Sequence, residues 1–553
     1  MLDESEVGEY NETNILKLSF KMSRGSVRHT GQAKMEEQKM KSKKMRIVAL
    51  GLILAMTAMS FTSCGGGGND GGSSEGRTDL NFAVSAEPNS LDPMAIAMMS
   101  TFTITYAIYD NLFEKNADGG YDPSICEDYD VSDDGLVYTF KIRDDVKFHD
   151  GTQMTAEDVA FSINRTIEKG WAADMVAAIE SVEATDDYTV VLTLSRPFGG
   201  MIGSLASPYF SIMSKAYLEE NGDDIVERKP MGTGAYKFVE WVSGDHITLE
   251  ANEDYFKGAP SIKTVTFKPI TDKNTGLIAL QAGEVDAFLN VNYSDIPAVE
   301  EDDSLAFYST DLAAVLSLNM NIENEILSDV RVRQAVNYAI NRDNIIQGAL
   351  EGQGTAANSP VPPTCDGYSE DVKGYEYDPD KARELLKEAG YEDGLSFTIK
   401  IKEDSKNQKV AQVIQSDLKA VGIDVDIQIL EAGAYTTDVY SNGDYEMTIS
   451  AWCAMFTDAY SLLYSQFHKD CYGGTGNITH VTSDELSSML DSAAQAGEDE
   501  KTAAYTEVAQ SIMDNAYVAP LVFEPTTITA SADLEGVEAD PLGIYQVKNF
   551  SWK

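Results

Sequence analysis

The sequence predicts an α/β protein, because short strand patterns and amphipathic helix patterns alternate along most of its length. The alternation starts at Leu80 and continues almost to the C-terminus, and no internal repeat interrupts it. About 475 residues follow the glycine-rich stretch near residue 70, which is enough for two or three domains with large cores. A multidomain α/β body is therefore expected.

Six elements are predicted in the first half of this body: a strand at 80–84, a helix at 102–113, a strand at 137–142, a helix that starts after Thr155, and the two strands of a hairpin at 179–183 and 189–194. The strand at 137–142 alternates apolar and polar residues, which is typical of a half-buried strand. The pair Asp134-Gly135 before it favours a tight turn, because glycine tolerates a positive φ. Thr155 and the acidic residues after it are typical of a helix N-terminus.

The second half predicts a long helix at 331–350, a helix from Pro379 to a stop at Gly390, strands at 395–401 and 425–430, and a helix at 410–421 between those strands. Asp378 is expected to cap the helix that Pro379 opens. Proline is well placed there, because the first amides of a helix have no partner within it.

Residues 39–63 are predicted to be a signal peptide. Basic residues lead into about fifteen mostly apolar residues, which is the length of a signal-peptide core and too short to span a bilayer. The segment ends in Phe61-Thr62-Ser63-Cys64, which resembles the lipobox of bacterial lipoproteins with Phe61 in the usual place of leucine. This resemblance implies lipidation of Cys64, with the glycine- and serine-rich residues 64–77 as a tether. Ordinary secretion, with Cys64 incidental, is the alternative.

Residues 1–38 are polar and aperiodic, whereas a signal peptide starts close to its basic region. We interpret them as a non-native or disordered extension. Translation would then begin at Met35, Met40 or Met45.

The chain carries 90 acidic and 42 basic residues, a formal net charge of −48 at pH 7. This excess argues against nucleic acid as a partner, because phosphate binding needs clustered lysine and arginine. It also argues against direct docking on an anionic bilayer. The lipid is therefore expected to be the only attachment to the membrane.

Four cysteines besides Cys64 are spread along the body, at Cys126, Cys365, Cys453 and Cys471. Outside the cytoplasm a disulfide is permitted, and the last two cysteines are the closest pair, but the sequence leaves their state open. The histidines of the body are isolated, and no metal-binding spacing such as HExxH occurs. No metal site and no cofactor are predicted.

Several separated blocks resemble one family, in the family's order. They are 132–143 (SDDGLVYTFKIR), 146–151 (VKFHDG), 155–159 (TAEDV), 231–236 (MGTGAY), 252–256 (NEDYF), and Asn321 followed by 329–335 (DVRVRQA). Together they are similar to solute-binding protein family 5, which includes the oligopeptide- and dipeptide-binding proteins of bacterial ABC importers. The resemblance covers roughly residues 80–553. Ala235 departs from it, since the family has proline there.

The resemblance implies an α/β periplasmic-binding-protein-like fold with two lobes and an additional domain inserted in the first lobe, known as cluster C. Its implied boundaries are 78–115, 231–312 and 526–553 for the first lobe, 116–230 for the inserted domain, and 313–525 for the second lobe. The ligand would be enclosed where the lobes meet.

The resemblance also implies a binding protein without enzymatic activity. An exported, lipid-anchored monomer would capture a small solute, by default a peptide, and deliver it to an ABC permease with its ATPase. It would lie at the outer face of the cytoplasmic membrane or on the periplasmic side. The alternatives are a non-peptide solute (nickel chelate, oligosaccharide or opine), a ligand-sensing surface receptor, and an extracellular glycosidase. The glycosidase is disfavoured because the sequence has no nucleophile motif or metal spacing, and chance carboxylate pairs mean little in so acidic a chain.

The segment 450–460 resembles the family's W-x-x-D-x-x-D/E-P block, in which the first aspartate pairs with the α-ammonium of a bound peptide. Here Trp452 is kept, Met455 stands at that aspartate position, and Asp458 matches the second acidic position. A buried ammonium needs a charge partner, so Met455 puts free-amine peptides in question unless Asp458 takes the role. A helix cap for Asp458 and core packing for Trp452 are the alternatives.

In the family, the loop before the first long helix borders the cleft. This implies Met99, Ser100 and Thr101 as further ligand-binding residues, with Met98 beside them, because polarisable methionines suit an adaptable pocket. Burial of the methionines in the core is the alternative. Tyr435 is left unassigned.

Overall fold

The computed structural model describes residues 76–95, 99–116, 120–170, 172–473 and 476–553. The predicted extension at 1–38, the predicted signal peptide at 39–63 and the tether up to residue 75 lie outside the described residues, as does Met98.

Within these residues the largest sheet has seven strands, in the spatial order Leu305–Asp311, Pro525–Ser531, Ala287–Leu289, Asp79–Val84, Thr264–Pro269, His246–Ala251 and Tyr236–Val242. The central strand, Asp79–Val84, is parallel to both of its neighbours. Because its side chains alternate between the two faces, Phe82 shares a core with helix Met99–Ile108, whereas Ala83 shares one with helix Lys273–Gln281. This sheet with its helices is the first lobe.

The second lobe is built on a sheet of six strands, in the order Thr355–Ala356, Val518–Phe523, Ala314–Met320, Met447–Cys453, Leu395–Lys402 and Ile423–Leu430. One hydrophobic core joins this sheet to the helices Val330–Ala339, Arg342–Ala349, Pro379–Glu388 and Ser405–Ala420. The lobe also contains the helices Ala432–Tyr435, Ala459–Phe467, Asp484–Ala494 and Glu498–Asp514, and a π-helix at Thr436–Ser441.

A four-stranded antiparallel sheet forms a third part, in the order Cys126–Val131, Val137–Ile142, Thr189–Leu194 and Ile179–Asp186. Helix Ala156–Lys169 packs on it, and its buried Val159 and Ile163 belong to the same hydrophobic core as Phe140. The smaller helices Ala173–Val176, Met201–Ala206 and Lys215–Asn221 follow. In the chain, this part lies between two elements of the first lobe. The two-lobed fold with an additional domain inserted in the first lobe is confirmed, while the residue-by-residue boundaries stay a prediction.

The remaining elements are short. Helix Ile296–Glu300 lies in the first lobe, and single 3₁₀ turns occur at Pro93–Ala95, Pro208–Phe210, Asp223–Glu227, Tyr293–Asp295, Lys469–Cys471 and Val547–Asn549. Two short strand pairs join Phe113–Lys115 to Tyr121–Pro123 and Leu534–Glu535 to Ser551–Trp552.

The predicted strands are confirmed, and Val137–Ile142 has the predicted bounds. The helix predicted at 102–113 is wrong at its end, since it stops at Ile108 and Phe113 opens a strand. Two buried polar side chains beyond Ile108 bind distant partners. Asp110 accepts from the hydroxyl of Tyr255 at 2.7 Å, and Asn111 donates to the carbonyl of Ser207 at 2.6 Å. These tertiary bonds replace the helical path.

The helix predicted at 331–350 is also wrong, because it is two helices, Val330–Ala339 and Arg342–Ala349. Asn341 caps the second one and accepts from the amide of Asn344 at 3.1 Å. Its own amide donates to the carboxylate of Asp417 at 2.9 Å. The spacing of apolar residues continues across the break, so it does not predict that the helix is interrupted.

Candidate functional site

In the described part of the chain, two short segments cross between the lobes. One lies between the strands Leu305–Asp311 and Ala314–Met320, and the other is Glu524, between Val518–Phe523 and Pro525–Ser531. The amide of Leu312 donates to the carbonyl of Glu524 at 2.8 Å, which ties the crossings together. A rotation of one lobe against the other would be absorbed here.

Strand Met447–Cys453 lies beside these crossings and carries Trp452. On one side it pairs along its whole length with Ala314–Met320. On the other side it pairs with Leu395–Lys402 only at Met447 and Thr448. Within the described residues, the edge from Ser450 to Cys453 therefore has no strand partner on that side.

Trp452 is partly buried and borders a small pocket of the second lobe. The pocket is lined by Val315, Ser317, Pro360, Trp452, Leu462, Gln466, Phe467 and Val518. The unassigned Tyr435 is buried in a small separate hydrophobic cluster of this lobe, where its hydroxyl lies 2.8 Å from that of Thr448 and its ring lies 5.8 Å from that of Tyr440. Trp452 and the bonding partner of Tyr435, Thr448, thus lie on the same strand, Met447–Cys453.

Met455 follows this strand and is partly buried, with its amide hydrogen donated to the hydroxyl of Ser461 at 2.7 Å. The next residue, Phe456, is buried against the inserted domain, where its ring faces Gly200 and Gly203. The segment that the sequence analysis singled out therefore lies where the second lobe meets the inserted domain.

Asp458 is buried and has both carboxylate oxygens engaged. One accepts from the amide of Tyr460 at 2.8 Å and caps helix Ala459–Phe467, as one of the two sequence interpretations predicted. The other forms an ion pair with the ammonium of Lys501. Lys501 comes from helix Glu498–Asp514 and was not identified from the sequence.

Asp366 lies beside Asp458 and was also missed. Its amide donates to the carbonyl of Thr457 at 3.0 Å, and its carbonyl accepts from the amide of Ala459 at 2.8 Å. Its carboxylate lies 3.8 Å from the ammonium of Lys501. Burial raises the pKa of Asp366 and Asp458 adds to the rise, while the charges of Lys501 and Lys115 oppose it.

Polar groups from outside the second lobe face this cluster. Lys115 lies 3.9 Å from Asp540, and burial raises the pKa of Asp540. Burial also raises the pKa of Tyr121, next to Thr457, Asp458 and Asp366. Residues that are far apart in the sequence thus bring charges of both signs to the junction of the lobes.

The predicted residues on the loop after Pro93 lie at the start of helix Met99–Ile108. Ser100 and Thr101 are buried. Their neighbour Phe102 belongs to the same hydrophobic core as Phe456, so both predicted segments border one core. Among the described residues, no hydrogen bond joins Ser100 or Thr101 to the segment around Met455.

Four cysteines are free in the described residues, including Cys453 and Cys471, so the structure contains no bond between that pair. The same residues hold no group of three or more side chains arranged to bind a metal ion. Among the helices that the structure describes, none combines the length and apolar character needed to cross a bilayer.

Comparisons with known proteins agree with this geometry. The model for bacterial extracellular solute-binding proteins, family 5 Middle, matches residues 120–474. The glutathione-binding protein GsiB of Pectobacterium atrosepticum is 34% identical over 390 residues, which is 69% of this chain and 76% of GsiB. The oligopeptide-binding protein AppA of Bacillus subtilis is 30% identical over 538 residues, which is 91% of this chain and 97% of AppA.

A solved structure is similar as well. The ABC transporter-associated periplasmic binding protein DppA of Helicobacter pylori, in complex with the peptide STSA, aligns with a TM-score of 0.77 at 30% sequence identity. The alignment covers 86% of this chain and 98% of DppA.

Proposed function

The chain belongs to family 5 of the bacterial extracellular solute-binding proteins, and from this we propose that it captures peptides between its two lobes. It is the substrate-binding protein of an ABC importer. Two similar proteins support a peptide as the ligand. AppA is named as an oligopeptide-binding protein, and the structure of DppA was solved with the peptide STSA.

The observation that carries the peptide proposal is the edge of strand Met447–Cys453. Between Ser450 and Cys453, the edge of this strand that is opposite Ala314–Met320 pairs with no strand of the described residues. An extended peptide can pair with such an edge through its own amides, whatever its side chains are. This supports a ligand with an extended amide backbone.

In the proposed mechanism, the lobes close on the ligand by rotation at the crossings near Leu312 and Glu524. The ligand contributes by stabilising the closed form, which the permease then recognises. Trp452 would offer a flat wall to the ligand, with Met455 and Asp458 beside it. Met99, Ser100 and Thr101 would border the cleft from the first lobe. The predicted domain boundaries belong to the same proposal.

The proposal includes attachment to the membrane through a lipid on Cys64, a monomeric state, and the absence of enzymatic activity. The permease and the ATPase of the importer would be its protein partners. The basic and apolar residues before Cys64, and the tether after it, support this placement.

A second candidate is a non-peptide solute, such as a nickel chelate, an oligosaccharide or an opine. Met455 favours it, because a thioether cannot balance the charge of a buried ammonium. A ligand-sensing receptor and a glycosidase remain as weaker alternatives.

Native mass spectrometry of the full-length protein purified from its membranes tests the proposal. A ladder of bound peptide masses is expected. A single non-peptide mass would overturn the peptide proposal in favour of the second candidate. Turnover of an oligosaccharide by the same preparation would overturn the claim that the protein is not an enzyme.

A further inference from the structure

We propose that the carboxylate of Asp366 binds the ammonium group of the ligand, a role that Met455 cannot fill. The inference rests on the proposed function, since it requires a peptide with a free amino group. Asp366 lies outside the sequence block that predicted the ligand site, and only the fold brings it next to that block.

Asp458, the acidic residue that the sequence analysis considered for this role, already has partners for both of its carboxylate oxygens. Asp458 gives one oxygen to the amide of Tyr460 and the other to the ammonium of Lys501, and its side chain is only 5% exposed. A ligand ammonium would have to displace Lys501, which is itself 12% exposed and would lose its closest charge partner. Such a displacement is unfavourable for a buried ion pair.

Asp366 shares Lys501 with Asp458, but its carboxylate is more accessible and less tightly held. Its backbone, not its carboxylate, makes the bonds to Thr457 and Ala459. The carboxylate is 51% exposed, and its ion pair with the ammonium of Lys501 is long, at 3.8 Å. Asp366 can therefore accept a new partner without breaking the fold.

The surroundings of Asp366 also suit a ligand. Lys115 and Tyr121, on a strand pair outside the second lobe, both act electrostatically with Asp366. The hydroxyl of Thr457 lies in the same place, on a residue that is 3% exposed, next to the hydroxyl of Tyr121, and neither oxygen makes a hydrogen bond of good geometry within the described residues. A buried hydroxyl of this kind normally has a partner, and an ammonium with three donors can supply one.

Two other carboxylates at the junction are weaker candidates. The carboxylate of Asp540 accepts from the amides of Leu542 and Ile544, at 2.9 and 3.2 Å, so it is already used to stabilise the loop that contains it. Asp311 lies at the end of the strand that leads into one crossing, and burial raises the pKa of its carboxyl. It serves as the competing position in the test.

The test measures binding of a pool of tri- to pentapeptides, and of the same pool acetylated at the amino terminus, by native mass spectrometry of the full chain. Asp366→Asn is compared with wild type, with Asp311→Asn, and with Asp371→Asn as the matched control at an exposed carboxylate nearby. Asp366→Asn is expected to weaken the binding of free-amine peptides roughly 10- to 100-fold. The affinity of this variant for acetylated peptides should stay within about twofold of that of wild type, since the acetylated peptides lack the ammonium.

The outcomes separate the two proposals. If Asp366→Asn still prefers free-amine peptides as strongly as wild type, or if Asp311→Asn loses that preference instead, the role of Asp366 is overturned while the peptide function stands. If wild type binds neither pool, the peptide function fails, and the role of Asp366 fails with it. Asp366→Glu keeps the charge and should retain the preference, which distinguishes a lost charge from a damaged fold.

Discussion

Gly203 of the inserted domain lies directly against the ring of Phe456 in the second lobe. A Cβ atom added to Gly203 would stand 2.8 Å from Cδ2 of Phe456 and 3.1 Å from the hydroxyl of Tyr121. Phe456 follows the strand that carries Trp452, so this contact joins two bodies that would separate when the cleft opens in the proposed mechanism.

Gly203→Ala should therefore weaken ligand binding by about tenfold or more, because a methyl group overpacks only the closed form, at a cost of about 1–3 kcal/mol. Titration of a bound peptide measures the affinity, and small-angle scattering measures the shift toward an open form. Gly348→Ala is the control, since Gly348 lies in a helix with only Val413 at an ordinary 3.6 Å. Equal affinities for the Gly203 variant and wild type would show that the contact does not limit closure.

Asp458→Ala should destabilise the protein by about 3 kcal/mol or more, because it removes a helix cap and leaves the ammonium of Lys501 without its main partner. Denaturant unfolding measures the loss. Asp378→Ala is the matched control: Asp378 caps a helix too, but at an exposed position, and about 1 kcal/mol is expected. Adding Lys501→Met to Asp458→Ala should recover part of the loss, and a double variant less stable than Asp458→Ala would contradict the ion-pair explanation.

His149 should make the stability of the protein depend on pH between about 6.5 and 4. Its Nε2 donates to the carbonyl of Gly234 at 3.0 Å, and its Nδ1 faces the amide of Gly232 at 3.4 Å, so the neutral ring fits this position. Burial lowers its pKa from 6.5 to about 4. Between pH 6.5 and about 4, His149 is therefore protonated in the unfolded chain but neutral in the folded chain.

Stability should thus fall as the pH drops through that window, by at most about 3 kcal/mol for this one group. The measurement is the difference between wild type and His149→Gln in unfolding free energy at several pH values. The variant should be less stable at pH 7, and the gap should narrow as the pH falls to 4. A gap that stays constant across the window would show that His149 does not titrate as described.

Met455→Asp should strengthen the binding of free-amine peptides, because it places a carboxylate at the position that the sequence resemblance implies for pairing with the α-ammonium. Calorimetry with a peptide found in the purified protein measures the change. The same peptide with an acetylated amino terminus is the control and should not gain affinity. Unchanged or weaker binding of the free-amine peptide would contradict a place for position 455 beside the ammonium of the ligand.

Cys64→Ser should move the protein from the membrane fraction to the soluble exported fraction, because a serine cannot carry the thioether-linked lipid. Fractionation followed by immunoblotting measures the distribution. Cys126→Ser serves as the control, since Cys126 lies in a strand of the inserted domain. A Cys64 variant that stays with the membrane would contradict lipid anchoring.

The sequence by itself determined the features that depend on neighbouring residues. The strand Val137–Ile142 follows from its alternation, and the helix that starts at Pro379 follows from Asp378 and Pro379. Motifs in a fixed order sufficed for the family and for the two-lobed fold. They also identified the segment around Trp452 and Asp458 that the structure brings to the junction of the lobes.

Only the tertiary structure decided which charges meet at that junction. Asp366, Lys501 and Lys115 come from three distant elements, and no local pattern links them to Asp458. The early end of helix Met99–Ile108 has the same kind of cause, because Asp110 bonds to Tyr255, far away in the chain. Local patterns register spacing along the chain, whereas burial, ion pairing and hydrogen bonding between distant residues arise only when the folded chain brings them together.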